Sequence, residues 1–274
     1  MLKRSITLLA VLMFTSLAFA QSNSVRSGAP AQSPSDTCAF TFSTGTGHGL
    51  TQYCVSNNGN IVQFSAMSGN GLPTEFLNSV NPATEGYGIC DTTAPPFNAY
   101  WDFASSDSGN WNPSTVVNTA TSVKVTRTTA DGVWRLVQTI TEIAGSKFFY
   151  GKARIITSIT NLSNKDRFLL LDRYANIDAG GSTFNDFDKT ETSVWGQVAE
   201  GNGPGLSSTA AFVTTPFDFS ISFVNTVPDA PIPCQIHNTF ISGFFEGDGG
   251  IDQDFNLEIG PGKTKTVGLT YSPI

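Results

Sequence analysis

Carboxyl groups are the titratable side chains that this sequence offers in greatest number, with 22 Asp and Glu residues. Five of them are candidate members of a catalytic pair: Asp102, Asp172, Asp178, Glu191 and Glu246. Two carboxyl groups that flank a glycosidic bond can cleave it, and this chemistry depends on their spatial distance rather than on sequence spacing. The sequence alone therefore selects no pair. The alternative is that these residues are solvated, as most carboxylates of an acidic chain are.

A second group of oxygen-bearing side chains is concentrated in one segment. It consists of Asp178, Asn185, Asp186 and Asp188, and Gly180-Gly181 in the same segment allows tight backbone turns. Ca²⁺ prefers hard oxygen ligands on a loop, so calcium is the metal cofactor that this segment suits. Asp and Asn also form ordinary turns without a metal, and under that interpretation the chain has no cofactor.

Aromatic side chains accompany polar residues in the less regular parts of the chain. An amphipathic ring beside carboxylates and amides suits a sugar, which offers an apolar face for stacking and hydroxyl groups for hydrogen bonds. The candidate ligand-binding residues are Trp101, Trp111, Asp172, Tyr174, Asn176 and Trp195. The competing interpretation is that the rings cap the ends of a hydrophobic core, whereas Trp134 is expected to lie within the core.

Nucleophilic catalysis has few candidate residues in this sequence. A Ser-His-Asp or Cys-His arrangement would have to use His48 or His237, which are the only histidines. No GxSxG nucleophile elbow is present, and the cysteines are expected to be bridged. These observations argue against this class of hydrolase.

The segment from Asp252 to Glu258 begins like a calcium-binding EF-hand loop but lacks the glycine required at its sixth position. Its alternation of polar and apolar residues is typical of a half-buried strand. We therefore expect one face (Phe255, Leu257, Ile259) to point to the core and the other (Asp254, Asn256, Glu258) to point to water.

The elements that must position these side chains are β-strands. Four β-branched or aromatic runs lie between Thr121 and Asp178, separated by turns at 130–132, 144–146 and 161–164. Asp-Gly and Gly-Ser between alternating apolar residues favour tight hairpins. We expect a meander of four antiparallel strands, followed by a closing hairpin around Gly260-Pro261-Gly262. Asn58-Gly59 predicts a further hairpin near the start of the domain.

Length and composition set the organisation of the chain. Residues 1–20 have the basic start, apolar run and small-residue cleavage site of a signal peptide, and 21–36 are small and polar, as in a flexible leader. Residues 37–274 fit a single all-β domain, a large antiparallel β-sandwich with long loops. The formal charge of −7 argues against nucleic acid as a partner, and no later segment is long and apolar enough to span a membrane.

Four cysteines remain after removal of the signal peptide: Cys38, Cys54, Cys90 and Cys234. An even number in an exported chain predicts two disulfides, in a secreted or periplasmic protein. We favour Cys38–Cys54 and Cys90–Cys234, because the first two are close in sequence. A zinc site is the weaker alternative, since no CxxC spacing occurs.

Three segments together resemble the galactose-mutarotase-like supersandwich domains of carbohydrate-active proteins. They are DGVWRLVQTIT from Asp131, ARIITSITNLSNKDRFLLLDRYANID from Ala153, and LEIGPGKTKTVGLTYSP from Leu257. The resemblance covers the second half of the chain and implies an antiparallel sandwich with a sugar site on a concave sheet face. The mutarotase activity of that family uses histidines with a carboxylate. Neither histidine of this chain lies in a matching motif, so no catalytic residue is carried over.

These patterns lead to three functional hypotheses. The first is an exported protein that binds a polysaccharide or a cell-surface glycan without catalysis. The second is a polysaccharide-acting hydrolase or lyase that uses paired carboxylates, and the third is a structural envelope or matrix protein. Two carboxyl groups that converge in space would favour the second hypothesis over the first.

Overall fold

The computed structural model describes residues 36–67, 73–77, 85–181, 185–189, 193–198, 211–216, 220–225, 232–238, 240–241 and 244–273. The predicted signal peptide and all but the last residue of the predicted leader lie outside these ranges, and so does Glu191. Trp195 belongs to a described strand, but its side chain is outside the description. Among the described residues no helix is long and apolar enough to cross a membrane.

The described elements are β-strands and three short 3₁₀ turns, at Gly47–Gly49, Ala179–Gly181 and Pro233–Asn238. The strands in chain order are β1 (Phe40–Thr44), β2 (Thr51–Val55), β3 (Ile61–Met67), β4 (Pro73–Leu77), β5 (Glu85–Asp91), β6 (Asn98–Phe103), β7 (Ser106–Asp107), β8 (Thr115–Asn118), β9 (Ser122–Thr128), β10 (Trp134–Ile143), β11 (Lys152–Asn161), β12 (Arg167–Asn176), β13 (Asn185–Lys189), β14 (Val194–Val198), β15 (Ala211–Pro216), β16 (Ile221–Asn225), β17 (Phe240–Ile241), β18 (Phe245–Gly247), β19 (Gly250–Ile259) and β20 (Thr264–Pro273).

Three antiparallel sheets are formed by these strands. Sheet 1 has the order β1-β2-β3-β4, sheet 2 the order β18-β13-β14-β15-β20-β11-β10-β9-β8, and sheet 3 the order β17-β16-β19-β12-β5-β6-β7. One hydrophobic core joins residues of all three sheets, among them Phe64, Ile155 and Leu171. The predicted all-β, antiparallel sandwich is therefore confirmed.

The predicted meander is correct for three strands and wrong for the fourth. β9, β10 and β11 are neighbours in sheet 2, but β12 lies in sheet 3 between β5 and β19. The closing hairpin is wrong for the same reason, because β19 belongs to sheet 3 and β20 to sheet 2. Turn residues such as Asn161–Asn164 and Gly260–Gly262 reverse the chain equally well within a sheet or between two sheets. The Asn58-Gly59 hairpin between β2 and β3 is confirmed, with Gly59 at a φ of 91°.

Asn161 joins the β11–β12 and β19–β20 connections, which both pass between sheet 2 and sheet 3. Its side-chain amide donates to the carbonyl oxygens of Ile259 (2.8 Å) and Lys165 (2.6 Å). Its backbone N–H donates to the carbonyl of Lys263, and its carbonyl accepts from Gly262 N–H. Asn161 is fully buried, so these bonds replace water for a set of backbone groups that would otherwise be orphaned.

Both disulfides pair as predicted, Cys38 with Cys54 and Cys90 with Cys234. The second bridge has a sequence separation of 144 residues and attaches the 3₁₀ turn Pro233–Asn238 to β5. Cys54 belongs to β2 of sheet 1 and Cys90 to β5 of sheet 3, so the two bridges stabilise different parts of the fold.

Candidate functional site

β12 places a buried arginine on one face of sheet 3 and a buried carboxyl group on the other. Arg173 points toward sheet 2, where it forms an ion pair with Glu85 and donates to Gln138 Oε1 (2.6 Å) and to the Tyr271 hydroxyl (3.3 Å). Because successive side chains alternate across a strand, Asp172 and Tyr174 lie on the other face. We call the face turned away from sheet 2 the outer face of sheet 3.

A row of directly paired residues runs across this outer face. Trp101 in β6 is opposite Gly88 in β5, Gly88 is opposite Asp172 in β12, and Asp172 is opposite Asp254 in β19. Ile221 in β16 pairs with Asp254 and extends the row. With about 4.8 Å between neighbouring strands, the backbones of Trp101 and Asp172 are about 10 Å apart.

Three carboxyl groups converge at the centre of this face. Asp172, Asp252 and Asp254 each offer an oxygen atom, and these atoms all lie within 4.8 Å of one another. Their exposed fractions are 0, 0 and 1 %. Both oxygen atoms of all three side chains lack a hydrogen-bond donor within the part of the chain that the structure describes. We refer to these three residues as the carboxyl cluster.

Burial controls the protonation of the cluster. Loss of hydration raises the pKa of Asp172 to about 6, and it raises the pKa of Asp252 and of Asp254 well above the usual range of a carboxyl. Repulsion from Asp172 adds to the effect at the other two positions. The Gln253 amide N–H beside Asp252 opposes it electrostatically, without the geometry of a hydrogen bond.

The 3₁₀ turn Pro233–Asn238 covers one side of the cluster. A Cβ placed on Gly88 would lie 2.2 Å from Pro233 Cγ and 3.2 Å from Asp172 Oδ2, so this glycine makes room for the proline. The adjacent disulfide fixes the turn over β5. His237 belongs to the same turn, with its side chain outside the description.

The aromatic candidates occupy different environments. Trp101 is half-buried, whereas Trp111 is only 9 % exposed and donates its indole N–H to the Trp101 carbonyl (3.0 Å). The Trp111 ring packs edge-on against Tyr87 and Tyr100 and carries the Arg127 guanidinium 5.4 Å from its centroid. These contacts place Trp111 in the core.

The remaining candidate ligand residues lie on β12 and β14. Tyr174 is fully buried and packs edge-on against Phe103, and Asn176 is half-buried with its Oδ1 unpaired. Trp195 is opposite Asp188 in the pairing of β14 with β13. Asp172 is therefore the candidate that the structure brings into a cluster.

The four residues predicted to bind calcium are not brought to one point. Asn185 is buried and uses its amide on backbone, accepting from Ala179 N–H (3.1 Å) and donating to the Ile177 carbonyl (2.8 Å). Asp186 and Asp188 lie on the other face of β13 by strand alternation. Asp178 is half-buried, and its pKa is raised to about 6 by burial first and then by Asp248.

The other carboxyl candidates have separate environments. Asp102 is buried in an ion pair with Arg127 and accepts from Asn60 Nδ2 (2.6 Å), while Glu246 is exposed in β18. Neither belongs to the carboxyl cluster within the described residues.

Sequence reasoning missed Asp252 and Asp254. Asp254 was expected to face water, and this expectation is wrong because the outer face of sheet 3 is covered at this position. Alternation correctly separates Asp254 from Phe255, but it does not reveal whether the polar face is open. The convergence of these carboxyl groups follows from the pairing of β12 with β19, and no local sequence pattern specifies that pairing.

Two kinds of chemistry are open to three converging carboxyl groups. Fully ionised, they can hold a cation with oxygen ligands. Partly protonated, they can transfer a proton to or from a bound substrate. Proton transfer requires a substrate to reach the cluster past the turn at Pro233–Asn238.

No protein-family model matches the sequence, and no curated protein matches it. Solved structures with a similar fold include an aldose epimerase homologue from C. elegans, at 9 % identity and a TM-score of 0.48 over 86 % of this chain and 98 % of that one. A galactose mutarotase-like protein from Lactobacillus casei ATCC 334 matches at 11 % identity and a TM-score of 0.41, over 86 % and 100 % of the two chains.

A bacterial glucoamylase solved with acarbose also matches, at 10 % identity and a TM-score of 0.48. That match covers 89 % of this chain and 34 % of the glucoamylase chain. Two of these structures are of the kind of protein that the sequence resembles, and the likeness concerns the fold and assigns no residue a role.

Proposed function

We infer that this chain binds carbohydrate on the outer face of sheet 3, with Trp101 as the stacking platform. The observation that carries this proposal is the row in which the half-buried Trp101 ring stands two strands from the carboxyl cluster. An indole ring beside polar side chains matches the alternating apolar and hydroxyl surfaces of a sugar.

Trp101 is held in place by its backbone. Its N–H donates to Ser108 Oγ (3.1 Å), its carbonyl accepts from Ser108 N–H (2.9 Å), and the same carbonyl accepts from Trp111 Nε1 (3.0 Å). These bonds fix the backbone from which the ring projects, so ligand binding should cost little backbone ordering. Trp111 therefore contributes to the site by supporting Trp101.

Asp172 and Tyr174 enter this function in a different way from the sequence-based hypothesis. Both are buried, so a sugar meets Trp101 first and reaches Asp172 only when the turn at Pro233–Asn238 moves. Asn176 lies on the same face and is half-buried, and its unpaired amide oxygen is buried.

Export is part of the proposal. Two formed disulfides suit an oxidising compartment, and residues 1–20 have the organisation of a signal peptide. N-terminal sequencing of the protein recovered from its native cells is expected to begin at Gln21. A chain that still begins at Met1 and stays in the cytosol would contradict the export proposal.

The test of glycan binding is retention of residues 21–274 on a panel of insoluble and gel-embedded polysaccharides. On any glycan that retains the protein, Trp101→Ala should weaken binding at least about tenfold, which corresponds to about 1.4 kcal/mol. Phe148→Ala is the matched control, because Phe148 is an 81 % exposed ring on the β10–β11 loop of sheet 2. Absence of retention on every glycan would overturn the proposal and favour a structural role.

Convergence of the carboxyl groups favours a second function, hydrolysis of a polysaccharide. Oxygen atoms within 4.8 Å suit the short separation of retaining glycosidases, about 5 Å, and a pKa of Asp172 near 6 suits a general acid. This function predicts release of reducing ends, abolished in Asp172→Asn and retained in Asp188→Asn. Retention on a glycan without release of reducing ends would leave binding as the function.

A further inference from the structure

We propose that Asp172, Asp252 and Asp254 form a binding site for one oxygen-preferring divalent cation, with calcium as the first candidate. The site is independent of the glycan proposal, because it is defined by the carboxyl cluster and not by Trp101. It also differs from the segment that the sequence suggested for calcium, between Asp178 and Asp188.

The carboxyl cluster differs from an ordinary acidic surface patch because its carboxyl groups are not exposed to bulk water. Each carboxyl group is at least 99 % buried, and its two oxygen atoms accept no hydrogen bond from the described residues. A buried ionised carboxylate without a partner is strongly unfavourable. One oxygen atom from each of the three groups lies within 4.8 Å of the other two, so a cation bound between them would neutralise the cluster.

No side-chain cation of the described residues fills this role. Arg173, the residue adjacent to Asp172, is on the opposite face of β12 and is paired with Glu85. The ion pairs of the described residues include Arg127–Asp102, Arg167–Asp91 and Arg173–Glu85. None of them involves the carboxyl cluster, so a cation that neutralises it would come from outside the described residues.

The spacing of the oxygen atoms fits a small metal ion. Three atoms that lie at most 4.8 Å apart can all be placed within about 2.8 Å of a common point, and Ca–O bonds are about 2.3–2.6 Å long. A shift of a few tenths of an ångström would bring all three into bonding distance. Carboxylate ligands without thiolate or imidazole select Ca²⁺, Mg²⁺ or Mn²⁺ over zinc.

Two strands supply the three ligands from fixed positions. Asp172 and Asp254 are directly paired, and Asp252 is two residues along the same face of β19. The neighbouring position in β5 is Gly88, and Pro233 lies over it beside Asp172. This cover excludes solvent from one side of the ion, so we expect slow release of the metal.

The experiment uses residues 21–274, stripped with EDTA and dialysed, in the absence of any glycan. CaCl₂, MgCl₂ and MnCl₂ are titrated separately by calorimetry, and the thermal midpoint is recorded with each ion and with chelator. One equivalent of an ion should bind and raise the midpoint by about 5 °C or more at a hundredfold excess over Kd.

Asp254→Asn and Asp252→Asn should each weaken the binding of that ion at least about tenfold. In chelator their midpoints should equal or exceed that of the wild type, because each variant removes one of the repelling charges. A purely structural role would instead lower the midpoint with and without metal. Asp188→Asn, a half-buried carboxyl in β13, is the matched control and should bind the ion normally.

The cation-site proposal and the glycan-binding proposal can be refuted independently of each other. Trp101→Ala should keep the full metal-dependent rise of the midpoint even if it binds no glycan. The cation site is overturned if the folded, stripped protein shows no binding of Ca²⁺, Mg²⁺ or Mn²⁺ at millimolar concentration. It is equally overturned if Asp254→Asn and Asp252→Asn bind the ion as tightly as the wild type.

Discussion

Asp172 and Arg173 are adjacent in β12, yet they serve opposite faces of sheet 3 and do not neutralise each other by direct contact. The Arg173 guanidinium is paired with Glu85 between sheets 2 and 3, while the Asp172 carboxyl joins Asp252 and Asp254 on the outer face. Strand alternation thus keeps the cation of the core away from the carboxyl cluster. The core ion pair and the cluster can be tested separately.

Removal of Arg173 should strongly destabilise the protein. Arg173→Met leaves Glu85 fully buried with donors from Ile61 N–H and the Tyr271 hydroxyl, but without its cation. Breaking a buried ion pair on one side lowers the free energy of unfolding by about 3–5 kcal/mol. Urea unfolding of the wild type and the variant measures this loss.

The control for Arg173→Met is the double variant Arg173→Met/Glu85→Leu. It removes both charges and should recover a large part of the lost stability, because no unpaired carboxylate remains in the core. Equal stability of the single and double variants would show that burial of unpaired Glu85 is not the cause.

Asn161→Ala should destabilise both inter-sheet crossings together. The variant leaves the carbonyl oxygens of Ile259 and Lys165 without the amide that serves them. Each unsatisfied buried group costs about 1–3 kcal/mol, so the free energy of unfolding should fall by about 2–4 kcal/mol. Asn164→Ala changes an exposed residue of the same turn and should have little effect. Equal losses in the two variants would contradict this role of Asn161.

Local patterns were sufficient to predict the strands and most turns of the fold, but not which sheet each strand joins. The Asn58-Gly59 hairpin was predicted because a two-strand turn has a local signature. The turns at 161–164 and 260–262 also consist largely of typical turn residues, but they connect strands of different sheets. Their direction is decided by packing of β12 against β5 and β19, which are distant in sequence.

Of the three residues of the carboxyl cluster, the sequence indicated one. Asp172 was identified as a carboxyl residue that accompanies the aromatic and amide residues Tyr174 and Asn176. Asp252 and Asp254 belong to a regular alternating strand, in which an outward carboxyl is ordinarily solvated. Their burial follows from long-range pairing and cover, including the disulfide of Cys90 with Cys234. The cysteine count suggested that bridge, but not what lies beneath it.

Asp178 should make the stability of the protein depend on pH between about 4 and 6. Its folded-state pKa is raised to about 6 from a usual value of 3.8, by burial and then by Asp248. A raised pKa means that the stabilising contribution is complete below about pH 4 and is lost as the pH rises through about 6. Asp178→Asn stays neutral, so the variant should be more stable than the wild type at pH 7.5 and similar to it at pH 4.

Urea unfolding at the two pH values, with the metal concentration held constant, measures the effect. Glu246→Gln, which changes an exposed carboxyl in β18, should follow the pH dependence of the wild type. A variant at Asp178 that lost stability equally at both pH values would indicate a lost contact instead of a titration.

The two disulfides should differ in their contributions to stability. Cys90–Cys234 closes a sequence separation of 144 residues, and Cys38–Cys54 closes one of 16. In the chain-entropy account, removal of the first costs about 5 kcal/mol and removal of the second about 3 kcal/mol. Chemical unfolding of Cys90→Ala/Cys234→Ala and of Cys38→Ala/Cys54→Ala under identical oxidising conditions compares them.

The same pair of variants separates the stability of the fold from the cover of the carboxyl cluster. Without Cys90–Cys234, the turn at Pro233–Asn238 loses its covalent attachment to β5, and a metal ion held by the cluster should exchange faster with a chelator. Loss of Cys38–Cys54 leaves that turn attached, so its exchange rate should match the wild type. If both variants accelerate exchange equally, the cover at Pro233 is not what retains the ion, and its release follows general loosening of the fold.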